Sequence, residues 1–446
     1  MDKYPLMMKG LAVGIILLFL GTNVFSSTAQ ELKKSPLPTS SGKWLYVGGS
    51  GPGNYTRIQD AINDSQDGDT VFVFPGTYNE TIEIRTAICL MGGDINTTII
   101  QDVSNYTTWY TVTVDHQNVT ITGFTIKGLQ APYALGLIKG YSTIKGNTII
   151  SKIYTWWSNN NSLVDNKIIG HVIVDGFGNV LDHNYIESGW PLELALSNNT
   201  LSNNTFISTG LQAYGGVGNI VVNNTVNGKP LVYLDQVSNQ VVEEDAGQIV
   251  LVACKNVTIR NQHFTNVLRA IQVLGSTQCY LINNTINQCS TYGIEIYTSD
   301  TITIMHNIIN TSLIQIGQWD FGYNNNIVIS RNTFTSASLG DNSISIGNTY
   351  NSTLSYNNLV NTAIELAFYD RNCQICCNNF LTSSFILIEV GHFPHIRFNH
   401  NYWERPRFFP KFNFGITEIF GGDYPEQVVP WLFIDWHPRL IPNDIS

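Results

Sequence analysis

From about residue 70 to residue 402 the chain alternates apolar and polar residues in short runs. VTIR, GIEIY, TITIM, IVIS and SISIG are typical, with Gly and Asn between them. Runs of this length, rich in Val, Ile and Thr and of period two, predict strands and exclude helical repeats. Within them one pattern recurs: an apolar residue, two positions, an Asn, one position, an apolar residue. It occurs as IKGNTI, LVDNKI, LDHNYI, LSNNTF, VVNNTV, LINNTI, IMHNII, ISRNTF, LSYNNL, ICCNNF and FNHNYW. The Asn residues are Asn147, Asn166, Asn184, Asn204, Asn224, Asn284, Asn307, Asn332, Asn357, Asn378 and Asn401, with a near match at Asn261. Their spacing is 18–25 residues, except for 37 between Asn224 and Asn261. That period of short strands is a solenoid signature, and one coil of a parallel β-helix uses about this many residues. Asn tolerates the left-handed backbone of a tight corner, and stacked amides can hydrogen-bond along the array. The repeated Asn are therefore expected to be structural. The 37-residue gap holds VNGKPLVYLDQVSNQVVEEDAG, in which Asn227-Gly228 and Pro230 predict a projecting loop or hairpin.

A solenoid needs covered ends. In YTRIQDAINDS, Ile58, Ala61 and Ile62 share a helical face and Asn54 suits an N-cap. From Trp403 the repeat stops, and RPRFFPKFNF and VVPWLFIDWHPRL predict an aromatic, Pro-rich cap over 403–446. Residues 44–402 are expected to form the β-helix domain with its N-terminal cap. Before it, Lys3 and Lys9, an apolar run from Leu11 to Leu20, and Ser27 and Ala29 read as a signal peptide over 1–29, cleaved or retained as an anchor. Residues 30–43 read as a polar linker. This organisation implies export to the cell surface or beyond, with membrane contact only through the N-terminal segment.

The stretch LYVGGSGPGNYTRIQDAINDSQDGDTVFVFPGTYNETIEI resembles the start of pectin-lyase-like right-handed β-helix proteins. VNGKPLVYL and DAGQIVLVACKNVTIRNQHFTN resemble the NosD or carbohydrate-binding-and-sugar-hydrolase (CASH) branch. The resemblance implies an all-β, right-handed parallel β-helix solenoid. It leaves function open among polysaccharide lyases, glycoside hydrolases, binding proteins and accessory proteins of copper enzymes.

The formal charge of −10 excludes an overall cationic footprint for nucleic acid or anionic lipid. Charged residues make up only 13%, and 48 Asn supply much of the polar surface. There are 14 N-x-S/T sequons, which in an exported chain are candidate glycan acceptors. Seven Cys are too few for a disulfide scaffold.

Chemistry is expected on one outward stripe. Aligning AIQVL, GIEIY, LIQIG, SISIG, AIELA and LIEVG places Gln272, Glu295, Gln315, Ser345, Glu365 and Glu389 outward, one coil apart. Earlier coils add Tyr154, Trp156, Glu193 and Gln212, and positions two further along add Asp175, Tyr214 and Tyr297. Carboxylates, amides and flat rings on one face suit a neutral sugar chain or an envelope polymer. Glu365 with Glu389, and Asp165 with Asp182, are weaker candidates for the paired carboxylates of a hydrolase. A lyase would want a basic residue, for which Lys139 and Arg269 are the nearby candidates. Cys373, Cys376, Cys377, His392, His395 and His400 invite a metal reading. Alternation, however, sets Cys376 and Cys377 on opposite faces, so no metal and no other cofactor is expected.

Overall fold

The computed structural model describes residues 42–445, apart from 103–107, 318–321, 337–341, 368–371, 383–384, 392–395 and 421–424. The expected signal segment and most of the linker lie outside the described residues. Among those described, the one α-helix is Ile58–Asn63, and almost everything else regular is short strand. Its side chains Ile58, Ala61 and Ile62 are buried as its periodicity predicts. Asn54 does not cap it. The first-turn N–H groups of Ile58 and Gln59 are taken by the Glu80 carboxylate at 2.8 and 3.2 Å, while Asn54 Nδ2 donates to the Gly48 carbonyl.

The coils form two consecutive stacks. In the first, three parallel sheets surround one core. One sheet has nine strands, from Trp44–Val47 to Ile220–Val222. The second runs from Gly76–Asn79 to Thr225–Val226. The third has seven strands, from Ile82–Ile84 to Leu211–Ala213. Equivalent inward residues lie in register: Ile121, Ile144, Leu163, Leu181 and Leu201 are each fully buried, one per coil. Burying each such side chain contributes about 1.5–3 kcal/mol. The second stack repeats the plan. One of its inward ladders reads Phe264, Ile286, Ile309, Phe334, Leu359, Phe380, Trp403, and its last two rings stack at 4.2 Å.

The repeated Asn form the expected amide ladder, with two corrections. The left-handed residue is the one before each ladder Asn: Asp165, His183, Asn203, Asn283, His306, Arg331, Tyr356, Cys377 and His400 all have φ of 54–58°. That residue turns the corner, and the next side chain then enters the interior. There Asn307 Nδ2 donates to the carbonyls of Leu281 and Met305 and to Asn332 Oδ1, and the Asn307 N–H donates to the same Oδ1. The corner costs about 1–2 kcal/mol in a non-glycine residue, and the buried amide offsets it by satisfying carbonyls that the corner exposes. The second correction concerns Asn261. It is the left-handed residue, with φ 58°, and Gln262 holds the ladder position, its N–H donating to Asn284 Oδ1. The second-stack ladder ends on a carboxylate: Asp435 Oδ2 accepts the N–H and Nδ2 of Asn401 and the indole N–H of Trp403. A shorter ladder in the first stack, Asn161, Asn179, Asn199 and Asn219, likewise ends on Asp235.

The 37-residue gap is the seam between the stacks. Thr225–Val226 turns through Asn227-Gly228 and pairs antiparallel with the start of Lys229–Asp235. The expected hairpin is present, but it does not project as an excursion. Lys229–Asp235 and Val241–Val242 pair in parallel with the next coil and open the second stack. In Gln248–Val252 every residue is buried. Ile249 and Leu251 enter the second core, whereas Val250 and Val252 close over the end of the first. Leu274 and Tyr297 do the same one and two coils later. At its far end the second stack carries a long antiparallel hairpin, Lys411–Phe420 with Pro425–Asp435.

Candidate functional site

The outward stripe of the second stack has the expected register through four steps: Gln272 pairs with Glu295, Glu295 with Gln315, Gln315 with Ser345, and Ser345 with Glu365. It is not an open surface. Gln272 and Glu295 are fully buried, and Tyr297 nearly so, because these side chains face the end of the first stack instead of solvent. The last strand of the third sheet, Leu211–Ala213, would otherwise have an unpaired edge. Two glutamine side chains take the place of a neighbouring strand. Gln248 Oε1 accepts from Leu211 N at 2.8 Å and Nε2 donates to Leu211 O at 2.6 Å. Gln272 makes the same pair of bonds with Ala213 at 3.0 and 3.2 Å.

One coil further, Arg269 Nη1 pairs with Glu295 Oε1, and the guanidinium lies 4.8 Å from the Tyr292 ring centroid. Tyr297 donates its hydroxyl to the same oxygen at 3.1 Å. Burial pushes the Glu295 carboxyl above its usual range, opposed by Arg269. Glu295 and Tyr297 thus form the packed seam between stacks and are withdrawn as sugar ligands. The neighbouring seam strand Gln248–Val252, QIVLV, is apolar at both parities, as strands covered on two faces are.

Further along, Gln315 and Glu365 are half-buried and Ser345 is buried. Glu365 is opposite Leu387, and Glu389 is opposite Ala367, two residues out of the expected register. The Glu389 side chain lies outside the described residues. Asp165 and Asp182 are not paired either. Asp165, a corner residue, has Lys145 at 3.5 Å. Asp182 lies opposite Val164 and accepts from Ser202, Asn203 and His183. Burial pushes its carboxyl up, but these three partners together hold it below the usual range, which is unsuited to a general acid.

The open face is the third sheet of the first stack. Tyr154, Ile173, Glu193 and Gln212 stand in one ladder, with Trp156 and Asp175 paired beside them. Tyr110, Tyr133, Tyr154 and Trp156 form a continuous column of rings at 5.3, 5.7 and 5.3 Å. Tyr110 and Tyr133 carried no signal beyond their strands in the sequence. Two local devices build the column. The fully buried Asp102 accepts the N–H groups of Leu129, Gln130 and Ala131 at 2.5, 2.8 and 2.8 Å, fixing the loop that delivers Tyr133. Gly136 leaves room for the Tyr110 ring, since a Cβ there would lie 2.4 Å from it. Trp156 is 52% exposed, and Trp109, Trp157 and Trp190 are more open still.

The column runs into polar groups. Tyr154 donates to Asp175 at 3.3 Å, and burial together with Asp175 pushes its hydroxyl up to about 12. Burial raises the Asp175 carboxyl. Glu193 accepts from Tyr214 at 3.0 Å and has His171 Nε2 at 3.0 Å. The His171 contact, opposed by burial and aided by Tyr214, holds the Glu193 carboxyl below the usual range. Trp190 lies 6.2 Å from the His171 ring. The structure therefore brings Tyr154, Trp156, Asp175, Glu193, Gln212 and Tyr214 onto one face, beside His171 and Trp190, which the alternation did not single out.

Residues 233–408, less than half of the chain, match the family model described as "Periplasmic copper-binding protein (NosD)". The chain is a right-handed parallel β-helix protein. Solved structures similar to this β-helix include a pectin methylesterase from carrot (13% identity, 55% of this chain and 83% of that one, TM-score 0.31). An alginate lyase from Paenibacillus sp. str. FPU-7 has 13% identity over 62% of this chain and 99% of that one, TM-score 0.35. The catalytic domain of a GH87 alpha-1,3-glucanase has 14% identity over 68% of each, TM-score 0.39. No curated protein matches the sequence.

The copper named in the family description is tested against the residues present. Among the described residues of this β-helix, no group of three or more His, Cys, Asp or Glu side chains converges as metal ligands. The nearest arrangement lines a groove of about 690 Å³ that includes Cys376, Cys377, His400 and His437. The two thiols do share one side, contrary to strict alternation, because Cys377 is a left-handed corner residue, and Cys376 is in hydrogen-bond contact with it. His400 and His437 stack at 5.6 Å. These are two pairs, not one converged set, and they do not fit a resident copper ion. His392 and His395 lie outside the described residues.

Proposed function

We propose that this β-helix works outside the cytoplasm as a glycan-binding protein, with the sugar chain lying across the third-sheet face of its first stack. The observation that carries the reading is the ring column Tyr110–Tyr133–Tyr154–Trp156, which leads into Asp175, Glu193 and His171. Flat exposed rings suit the apolar faces of pyranose units, and half-exposed carboxylates and Gln212 suit their hydroxyls. With a formal charge of −10 and two carboxylates on the face, a neutral glycan is favoured over a polyuronate. The extracytoplasmic setting rests on the signal-like N-terminus and on the word "periplasmic" in the matched description. A glycan-array screen of the full chain tests the reading. Retention of neutral oligosaccharides by wild type and not by Tyr154→Ala/Trp156→Ala is expected. Equal retention by both, or none by wild type, would remove it.

A further inference from the structure

The far end of the second stack carries a second surface, unrelated to the glycan face. After Trp403 the chain leaves the last coil as a loop, Glu404–Pro410, before the final hairpin begins at Lys411. Phe408 and Phe409 stand side by side on it, 81% and 80% exposed. Exposing two neighbouring Phe rings to this extent is unfavourable in water, by roughly 25 cal/mol per Å² of apolar surface. Pro406 and Pro410 flank them and restrict the loop backbone, which limits any collapse of the rings onto the coil. The loop carries the exposed Arg405 and the half-buried Arg407 beside Glu404, and Lys411 follows it with its Nζ 5.7 Å from the Trp403 ring centroid, a local cationic excess on an acidic chain. Burial, and to a lesser extent the nearby Arg407, lowers the Lys411 ammonium pKa. The hairpin register sets Lys411 opposite Asp435. The exposed Trp436 therefore leaves the sheet at the same end as the loop.

An aromatic tip with a local cationic excess, on a chain of net charge −10, is matched in charge by an anionic partner. The tip is a loop, not a groove, so it suits a surface that it can enter rather than a ligand that it encloses. We propose that this end of the β-helix docks on an anionic lipid bilayer. Phe408, Phe409 and Trp436 would enter the headgroup boundary, and Arg405, Arg407 and Lys411 would contact lipid phosphates. The glycan face, on the first stack, is left free by this contact.

The test uses the full chain with p-benzoylphenylalanine in place of Phe408, a local readout that other membrane contacts of the chain do not produce. It is irradiated with vesicles of phosphatidylcholine alone or with about one-third phosphatidylglycerol. Lipid adducts should form on the anionic vesicles and fall several-fold on the neutral ones. In flotation of the otherwise native chain, neutralising the cations one at a time (Arg405→Gln, Arg407→Gln, Lys411→Gln) should weaken the phosphatidylglycerol-dependent part of binding roughly five-fold each. Phe408→Ser/Phe409→Ser should abolish that part while the chain still binds its glycan. Adducts independent of lipid charge, no lipid adducts, or a crosslink to a protein instead of lipid in cell envelopes would each overturn the proposal.

Discussion

Replacing Arg269 with Met tests the seam between the stacks at its most polar point. Arg269 and Glu295 are 7% and 1% exposed and paired with each other. Removing the cation leaves a buried carboxylate with only the Tyr297 hydroxyl as a hydrogen-bond donor. Breaking a buried pair from one side costs about 3–5 kcal/mol. Replacing both partners by apolar groups, Arg269→Met/Glu295→Leu, should recover most of that loss, because no charge is then left unpaired. The pH dependence has a definite sign. Burial already raises the Glu295 carboxyl above its unfolded value, and losing Arg269, which lowers it, raises it further. Between the unfolded and the folded pKa the native state holds a proton that the unfolded state has released, so stability falls as pH rises. The Arg269→Met penalty should therefore be larger at pH 8 than at pH 5. Urea unfolding followed by circular dichroism reads the totals. Hydrogen exchange at Leu211–Ala213 reads whether the loss is local to the seam, as expected in a solenoid whose coils interact mainly with their neighbours. An Arg269→Met chain as stable as wild type at both pH values would refute the reasoning. So would a double variant no better than the single one.

Gln272→Leu should strip the Ala213 N–H and C=O of their partners, cost about 2–4 kcal/mol, and speed hydrogen exchange at Ala213 more than at Ile144. Asn307→Ala removes three donated Nδ2 bonds and the acceptor for the Asn284 N–H. It should cost at least about 3 kcal/mol in urea unfolding, whereas His306→Asn at the neighbouring left-handed corner should be neutral or stabilising. Burial and the neighbouring Cys377 thiol push Cys376 up to about 11. Its alkylation by iodoacetamide, followed by peptide mass, should be slow at pH 7 and rise close to tenfold per pH unit until near that value.

The coil period and the strand register were legible because both depend on local spacing. An Asn every 18–25 residues sets the ladder, and alternation alone aligned Gln272 with Glu295 and Gln315. The ladder slot at Gln262 was not legible, because a search for Asn stops at Asn261, one residue early. Nor was the left-handed corner, since Asp, His, Arg, Tyr and Cys all occupy it and present no common side chain. Burial of the stripe was missed for a different reason. The outward face of a coil is covered only because Thr225–Pro230 turns the chain back and starts a second stack against the end of the first. That is a long-range contact, and alternation within one strand carries no record of it. The half of the stripe that remains open, Tyr154 to Tyr214, meets the second stack only at its last strand, where Gln248 and Gln272 close the edge.

The central claim, that the first-stack face holds a sugar chain, is tested most directly by calorimetric titration of the full chain with a neutral oligosaccharide selected on the array. Wild type is compared with Trp156→Ala and with Glu365→Gln, which lies on the second stack. Trp156→Ala should weaken binding about 5- to 30-fold, the loss of one aromatic platform worth roughly 1–2 kcal/mol, with the unfolding midpoint unchanged because the side chain is half exposed. Glu365→Gln should bind as wild type does. Unchanged affinity in Trp156→Ala, or a loss confined to Glu365→Gln, would contradict the account.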